Sequence, residues 1–333
     1  MSASWSLEIG GSPTAQAWEC LAAAIAAPSV HNSQPWRFRV TPRHIEVYAD
    51  RSRKLQVVDP DGRELAMSVG AAILNLRVAI LARGRLPMHQ LLPDPDQPDL
   101  LAVVAAGPAL QPTFVSRRLA WAIPRRHSSR QPFLPTEVPE QILEQLRAAA
   151  QVENADLFLT DPPLREAVLG LARTAENLRH ADPDYLVELA EWTKPIPGRL
   201  DGVPGYAYAG ADPDRVVPLR DFGVAFPGPP VQPRRFEDAP QIGVLYTTGD
   251  TVLNWLHAGQ ALQRALLTAT VHGLQSTLMT QPLEYPQLRA LFDDSAQGRV
   301  AQAIVRFGYG PSGRPSPRRP IADVMVGVGD HRP

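Results

Sequence analysis

Apolar positions along this chain follow two rhythms, and the switches between them mark out its elements. From Thr14, a residue suited to capping a helix start, Trp18, Leu21 and Ile25 recur at helical spacing until about Ala27, where Pro28 stops the helix. WRFRV and HIEVYA then alternate around TPR and predict a β-hairpin. A second helix, from about Glu64 to Arg83, is apolar nearly all round, with Leu65, Met67, Val69, Ile73, Leu76 and Ile80 spread over its sides. Such a helix belongs in a core rather than on a surface. LLAVVAAG follows as a strand.

The second half repeats this grammar. PEQILEQLRAAA is an amphipathic helix, ADLFLT a strand, LNWLHAGQALQRALLTATVHG another long apolar helix, and AIVRFGYG a strand behind it. Gly70 and Gly84 bracket the first long helix and Gly259 and Gly273 the second, both pairs fourteen residues apart. Glycine C-caps are common, so the spacing alone says little. With the matching element order it predicts an internal duplication, two similar units fused like a dimer in one chain. The halves are expected at residues 1–115 and 116–333.

The second half also carries KPIPGRLDGVPGYAYAGADPDRVVPLRDFGVAFPGPPVQPRRFEDAP, too rich in proline and glycine for regular structure. A disordered linker is one reading. Against it, Tyr206, Tyr208, Phe222 and Phe226 are aromatics that a solvated linker rarely keeps. A loop this long is more often a binding loop, and a lid over about 195–240 is the favoured expectation.

Composition narrows the class. At roughly 150 residues per domain, a chain of 333 residues suggests about two domains or one large one. A formal net charge of −1 gives no case for a nucleic-acid footprint or a basic membrane-binding face. Cys20 is the sole cysteine, so no internal disulfide forms, and its apolar setting marks a small buried residue rather than a reactive thiol. The N-terminal MSASWSLEIGG does not read as a signal peptide, and no stretch reads as the ~20 apolar residues of a membrane span. A soluble, cytoplasmic protein is expected. Lys54 and Lys194 are the only lysines, so an anion here is held mainly by the planar forks of arginine.

Several chemical routes drop out. There is no HExxH, paired CxxC, Walker loop or GxSxG, the histidines show no ligand spacing, and no metal site is expected. GYGPSG at Gly308 to Gly313 fits GxGxxG, yet RPSPRRP follows instead of a helix, so it reads as a glycine-rich turn. RRHSSRQPF carries more. On an extended segment Arg126, Ser128 and Arg130 point the same way, and two guanidinia with a hydroxyl suit a phosphate monoester. Alone, that fragment is equally a solvated basic turn. Arg318 and Arg319 form a second pair in PSPRRP, alone no more than a charged tail.

RHSSR resembles the arginine-x-serine-x-basic signature near the start of flavin-dependent nitroreductases, and PSVHNSQPW, at residues 28 to 36, resembles that family's second signature. In that family the first grips the FMN phosphate from one subunit, while the second reaches the same flavin from the partner. Here the first half has PSVHNSQPW but no arginine-serine-arginine motif before its first helix, and the second half has the reverse. Each half keeps what the other lacks, a pattern similar to the Acg-like single-chain pseudo-dimers of the nitroreductase superfamily.

The resemblance implies an α+β fold: a nitroreductase unit duplicated in one chain, with two mixed or antiparallel sheets, long central helices and a lid. It implies one composite FMN site. Arg126, Ser128 and Arg130 hold the phosphate, joined by Arg318 and Arg319. Pro28, Ser29, Val30, His31, Asn32 and Gln34 border the flavin from the other half, with Val30 departing from the serine of many relatives. Gln281 falls near the reactive edge of the ring, and Trp36 packs in the core. The activity implied is two-electron reduction by a ping-pong flavin cycle, with NAD(P)H or another small reductant and no catalytic side chain. A flavin-binding protein that sequesters FMN under its lid is the alternative, and a flavin-free interaction module a more distant one. The expected partners are small-molecule electron donors and acceptors. The fused dimer is compatible with a monomer.

Overall fold

The computed structural model describes residues 8–9, 12–208, 216–226, 234–294 and 296–326. After a short hairpin, β1 (Glu8–Ile9) and β2 (Ser12–Pro13), helix α1 (Ala15–Ile25) starts at Thr14, whose hydroxyl accepts from the backbone of Ala17. β3 (Trp36–Val40) and β4 (His44–Ala49) form the expected hairpin. Helix α2 (Arg63–Ala82) follows, then β5 (Arg85–Leu91) and β6 (Leu100–Ala109). These strands form an antiparallel sheet in the order β3-β4-β6-β5.

α3 (Phe114–Ala122) leads into the second unit. There α4 (Glu140–Gln151), β7 (Asp156–Leu159), β8 (Gln241–Thr248), α7 (Val252–Val271), β9 (Gln275–Leu278) and β10 (Arg299–Gly308) make a second antiparallel sheet, in the order β7-β8-β10-β9. Each sheet thus runs first, second, fourth, third, with a twenty-residue helix between its second and third strands. The second unit differs by what it inserts between β7 and β8: α5 (Pro162–His180), α6 (Pro183–Thr193) and the proline-rich stretch.

The glycines assigned as brackets divide into two roles. Gly84 and Gly273 follow the helix ends at φ +77° and +76°, a left-handed conformation that glycine adopts without strain. Gly70 and Gly259, each the eighth residue of its helix, lie where α2 and α7 cross. A Cβ on Gly259 would sit 2.0 Å from the Met67 carbonyl oxygen, and one on Gly70 2.5 Å from that of Leu256. The backbones approach this closely because neither residue has a side chain.

α2 is buried over 17 of its 20 residues, against α1, α7 and its own sheet. By length and apolarity it does match a membrane span, contrary to the sequence reading, with 83% of its most apolar window inside the protein. Core helix and spanning helix have the same composition, and packing separates them. Trp36 and Cys20 lie in this core, fully buried, and burial pushes the Cys20 thiol up to about 11. The end of the described chain crosses back over the boundary between the halves: Val326 donates to the Phe38 carbonyl at 2.8 Å, and Val324 is buried with α1 and β3.

Candidate functional site

The site starts at the C-terminal end of α1. There the carbonyls of the last turn have no further helix to bond, and the aligned peptide dipoles leave partial negative charge. Two arginines from far along the chain cover them. Arg318 donates to Ile25 O at 2.9 Å and Ala27 O at 3.0 Å, and Arg126 reaches Ala26 O at 3.5 Å.

Beyond Pro28 the chain turns through a strained path. His31, Asn32 and Gln34 have φ of 47°, 54° and 53°, each costing on the order of 1–2 kcal/mol for a residue with a side chain. The turn is held by Gln34 N donating to Ser29 Oγ at 2.9 Å and by the two polar side chains that follow. Asn32 Nδ2 donates to Gly202 O and Pro317 O, both at 3.1 Å, and its Oδ1 accepts from Arg318 at 2.9 Å. Gln34 Nε2 donates to Leu200 O at 2.8 Å, and its Oε1 accepts from Arg319 N at 2.8 Å. One heptad-length loop therefore ties together the proline-rich segment and the C-terminal segment.

From the other half, residues 126–130 lie alongside β9, where Ser128 bridges Ser276 and Ser129 N donates to Ser276 O at 2.9 Å. The glycine-rich turn after β10 closes on this strand. A Cβ on Gly313 would lie 2.4 Å from Ser128 O, so its glycine serves close packing rather than a dinucleotide.

Between these parts opens a cleft with about 1150 Å³ of atom-free space, the solvent at its mouth included. Pro28, Ser29, Val30, His31 and Asn32 line it from the first half, and Arg126, Ser128, Arg130 and Arg318 from the second. Arg126 and Asn32 face one cavity. Three of the expected residues do not line it. Gln34 is the buckle just described, buried and spent on backbone partners. Arg319 turns away to Asp50, at 3.8 Å, and to Asp323 O, at 2.6 Å. Gln281 is buried with its amide 3.4 Å from Pro218 O, and its neighbour Thr280 faces the cleft instead.

The charges fall into two groups. Arg126, 4% exposed, stands beside Arg318; burial and that second cation pull its guanidinium down to about 9, and burial holds Arg318 near 10. The same surroundings lower His127 to about 4, burial first and then the two arginines. Arg130 belongs to a second group. It donates to Ala207 O at 3.0 Å and lies 4.6 Å over the Phe222 ring, and burial followed by the charge of Arg220 brings it to about 10. Arg126, Ser128 and Arg130 all line the one cleft, Arg126 with Arg318 as its neighbouring charge and Arg130 with Arg220. The arginines all keep their charge at neutral pH. Among the described residues no carboxylate pairs with Arg126, Arg130 or Arg318, and Arg126 Nε has no partner. Guanidinia buried without a counter-charge are costly, and an anionic ligand removes the cost.

His31 is buried, edge-on to Phe222 at 5.4 Å, and among the described residues neither ring nitrogen has a partner. Burial, then Arg220 and Arg130, hold its pKa well below the usual 6.5, so the ring is neutral. The proline-rich stretch supplies Val203, Leu219, Arg220 and Phe222 to the cleft wall, while 209–215 and 227–233 of the expected lid lie outside the described residues. Sequence reading missed Glu64, Ser68, Thr277, Leu278 and Thr280, which also line the cleft. A faint signal existed: Glu64 and Ser68, one turn apart, are polar in an otherwise apolar helix.

The chain is 31% identical over 316 residues to the Mycobacterium tuberculosis H37Rv protein named "Putative NAD(P)H nitroreductase acg", covering 93% of this chain and 95% of that one. It is 32% identical over 311 residues to "Putative NAD(P)H nitroreductase Rv3131" from the same organism, covering 92% and 89%, and 33% identical over 315 residues to "Uncharacterized protein Rv3127", covering 91% and 90%. No family model matches the chain. Among solved structures, a nitroreductase-like family protein from Bacillus cereus aligns over 63% of this chain and 96% of its own, at 16% identity and a TM-score of 0.39.

Proposed function

The chain belongs to the Acg group of the nitroreductase superfamily, and on that premise we propose that its cleft binds FMN and that the protein is an FMN-dependent oxidoreductase. The observation that carries the reading is the buried, carboxylate-free pair Arg126 and Arg318 in the same cavity as Asn32. A phosphate monoester is a dianion with oxygens for bidentate guanidinium contacts, and Ser128 adds a hydroxyl. Met67, Ala71, Leu262 and Leu278 give the cleft an apolar wall suited to a flat ring.

When bound, the flavin carries two electrons between a small reductant, for which we propose NAD(P)H, and an acceptor. The protein's part is placement. Arg126, Arg318 and Ser128 hold the phosphate, Arg130 adds positive charge to the same cleft, and Asn32 fixes the strained turn against both neighbouring segments. Donor and acceptor use the same space in turn, a ping-pong order that needs no nucleophile. The sheets and long helices of the two units stand in for the two subunits of a dimer, divided near residue 115; the burial of α2 fits a core helix rather than a membrane span, and a cytoplasmic location is part of the proposal.

One observation favours a second reading, in which FMN is sequestered. The segment 200–208 is fastened over the cleft by Asn32, by Gln34, by Arg130 and by Tyr206, whose hydroxyl donates to Pro315 O at 2.8 Å. This stretch acts as a lid, and nicotinamide reaches the ring only if it opens. The purified protein is expected to be yellow or to take up FMN. Absence of flavin bands after FMN addition would sink both readings. Anaerobic NADH or NADPH bleaches the colour if the enzyme reading holds. Persistent colour that Tyr206→Phe converts to bleaching identifies a closed lid.

A further inference from the structure

Glu64 lies in the first turn of α2, where the helix dipole ordinarily favours an ionised carboxylate. That place is already taken. Asp59 accepts from Glu64 N at 2.9 Å and Leu65 N at 2.8 Å, so the end of the helix has its anion without Glu64. The nearby cations are committed too. Glu284, whose side chain is fully buried, pairs with Arg179 at 2.8 Å and with Arg220, which also faces Glu176. Among the described residues only Arg63 forms an ion pair with Glu64, at 3.0 Å, and it shares its donors with Gln302 O at 2.6 Å and Leu283 O at 3.4 Å.

Glu64 is 6% exposed, and that exposure is to the cleft, which it lines together with Ser68 and Gln302. One carboxyl oxygen accepts from Arg63, and the other has no partner among the described residues. We propose, resting on the FMN reading for the identity of the ligand, that Glu64 is a neutral carboxylic acid that donates a hydrogen bond to an uncharged acceptor atom of the cleft ligand. Ligand retention is then gated by its ionisation.

The electrostatic balance favours the protonated form. Burial comes first, then Glu284 from the turn after β9; both raise Glu64, as does Asp59 from the loop before α2. Arg63 and Arg220 only partly offset them, and the balance stands at about 8. His31, from the opposite wall, is neutral and adds no charge. At neutral pH the acid therefore keeps its proton, and with it a donor that an ionised glutamate lacks.

Two measurements test this. The infrared spectrum of the flavin-free protein should contain an un-ionised carboxyl band that fades as pH rises through about 8 and loses that component in Glu64→Gln. A spectrum unchanged by the substitution overturns the proposal. FMN dissociation constants, followed by flavin fluorescence, should rise toward tenfold per pH unit above about 8 in the natural protein and stay level in Glu64→Gln, whose amide keeps a donor. A flat natural profile, or a Gln variant that follows it upward, refutes the gate. Should the natural protein fail to bind FMN at any pH, the cofactor reading fails, while the infrared titration still decides the state of Glu64.

Discussion

Replacing Arg126 with methionine should move ligand binding and stability in opposite directions. The side chain is buried, and its guanidinium is drawn from 12.5 to about 9 by burial and by Arg318. At 1.36 kcal/mol for each tenfold step, that depression corresponds to an unfavourable burial of the charge of at most ~5 kcal/mol. The carbonyl of Ala26 and the dipole of α1 return part of it, and the native packing relaxes, so a net penalty of about 2 kcal/mol is reasonable. Methionine keeps most of the apolar volume without the charge. The flavin-free variant should therefore be as stable as the natural protein or up to about 2 kcal/mol more stable, measured by urea unfolding. FMN, however, loses a charge-assisted hydrogen bond of about 1.5–3 kcal/mol, and its dissociation constant should rise roughly 10- to 150-fold in a fluorescence titration. A variant destabilised by more than ~1 kcal/mol with undiminished FMN affinity would show that Arg126 is a structural residue satisfied by its own surroundings.

The crossing of α2 and α7 predicts that Gly259→Ala and Gly70→Ala each cost about 3 kcal/mol or more, because the new methyl meets backbone rather than a movable side chain. Tolerance of either in denaturant unfolding would contradict the close approach. Asn32→Ala removes three side-chain bonds and puts alanine at positive φ, so about 2 kcal/mol should be lost and residues 195–208 should become easier to cut in limited proteolysis. Glu64 gives a pH slope. Its folded pKa lies above the unfolded value, so the stability it contributes is complete below 4.5 and is lost as pH rises through about 8. Against Glu64→Gln, the natural protein should fall by up to about 1.4 kcal/mol per pH unit across that window; parallel curves would mean that Glu64 ionises normally.

Much of this protein is local and therefore legible along the chain. Thr14 and Pro28 bound a helix, WRFRV and HIEVYA alternate, and two apolar runs place the central helices, because capping, pleat and helical periodicity are properties of neighbours in sequence. The two motifs were legible for the same reason. Arg126, Ser128 and Arg130 reach the cleft beside β9 as the motif suggested, although His127 lines it too, so the run from 126 to 128 is contiguous rather than alternating.

What the chain alone determined, then, is the inventory: two similar runs of elements, each with half of a binding motif. Tertiary structure decided what each residue is for. Gly70 and Gly259 became a crossing point rather than helix brackets, and Gln34 a buckle rather than a ligand contact. Arg318 came to rest on the end of a helix nearly 300 residues earlier, its carbonyl partners named only by the fold. The unpaired charge of Arg126 and the retained proton of Glu64 do not exist in an extended chain, where water solvates both groups equally well. They arise when packing removes that water and fixes which charges remain close enough to matter.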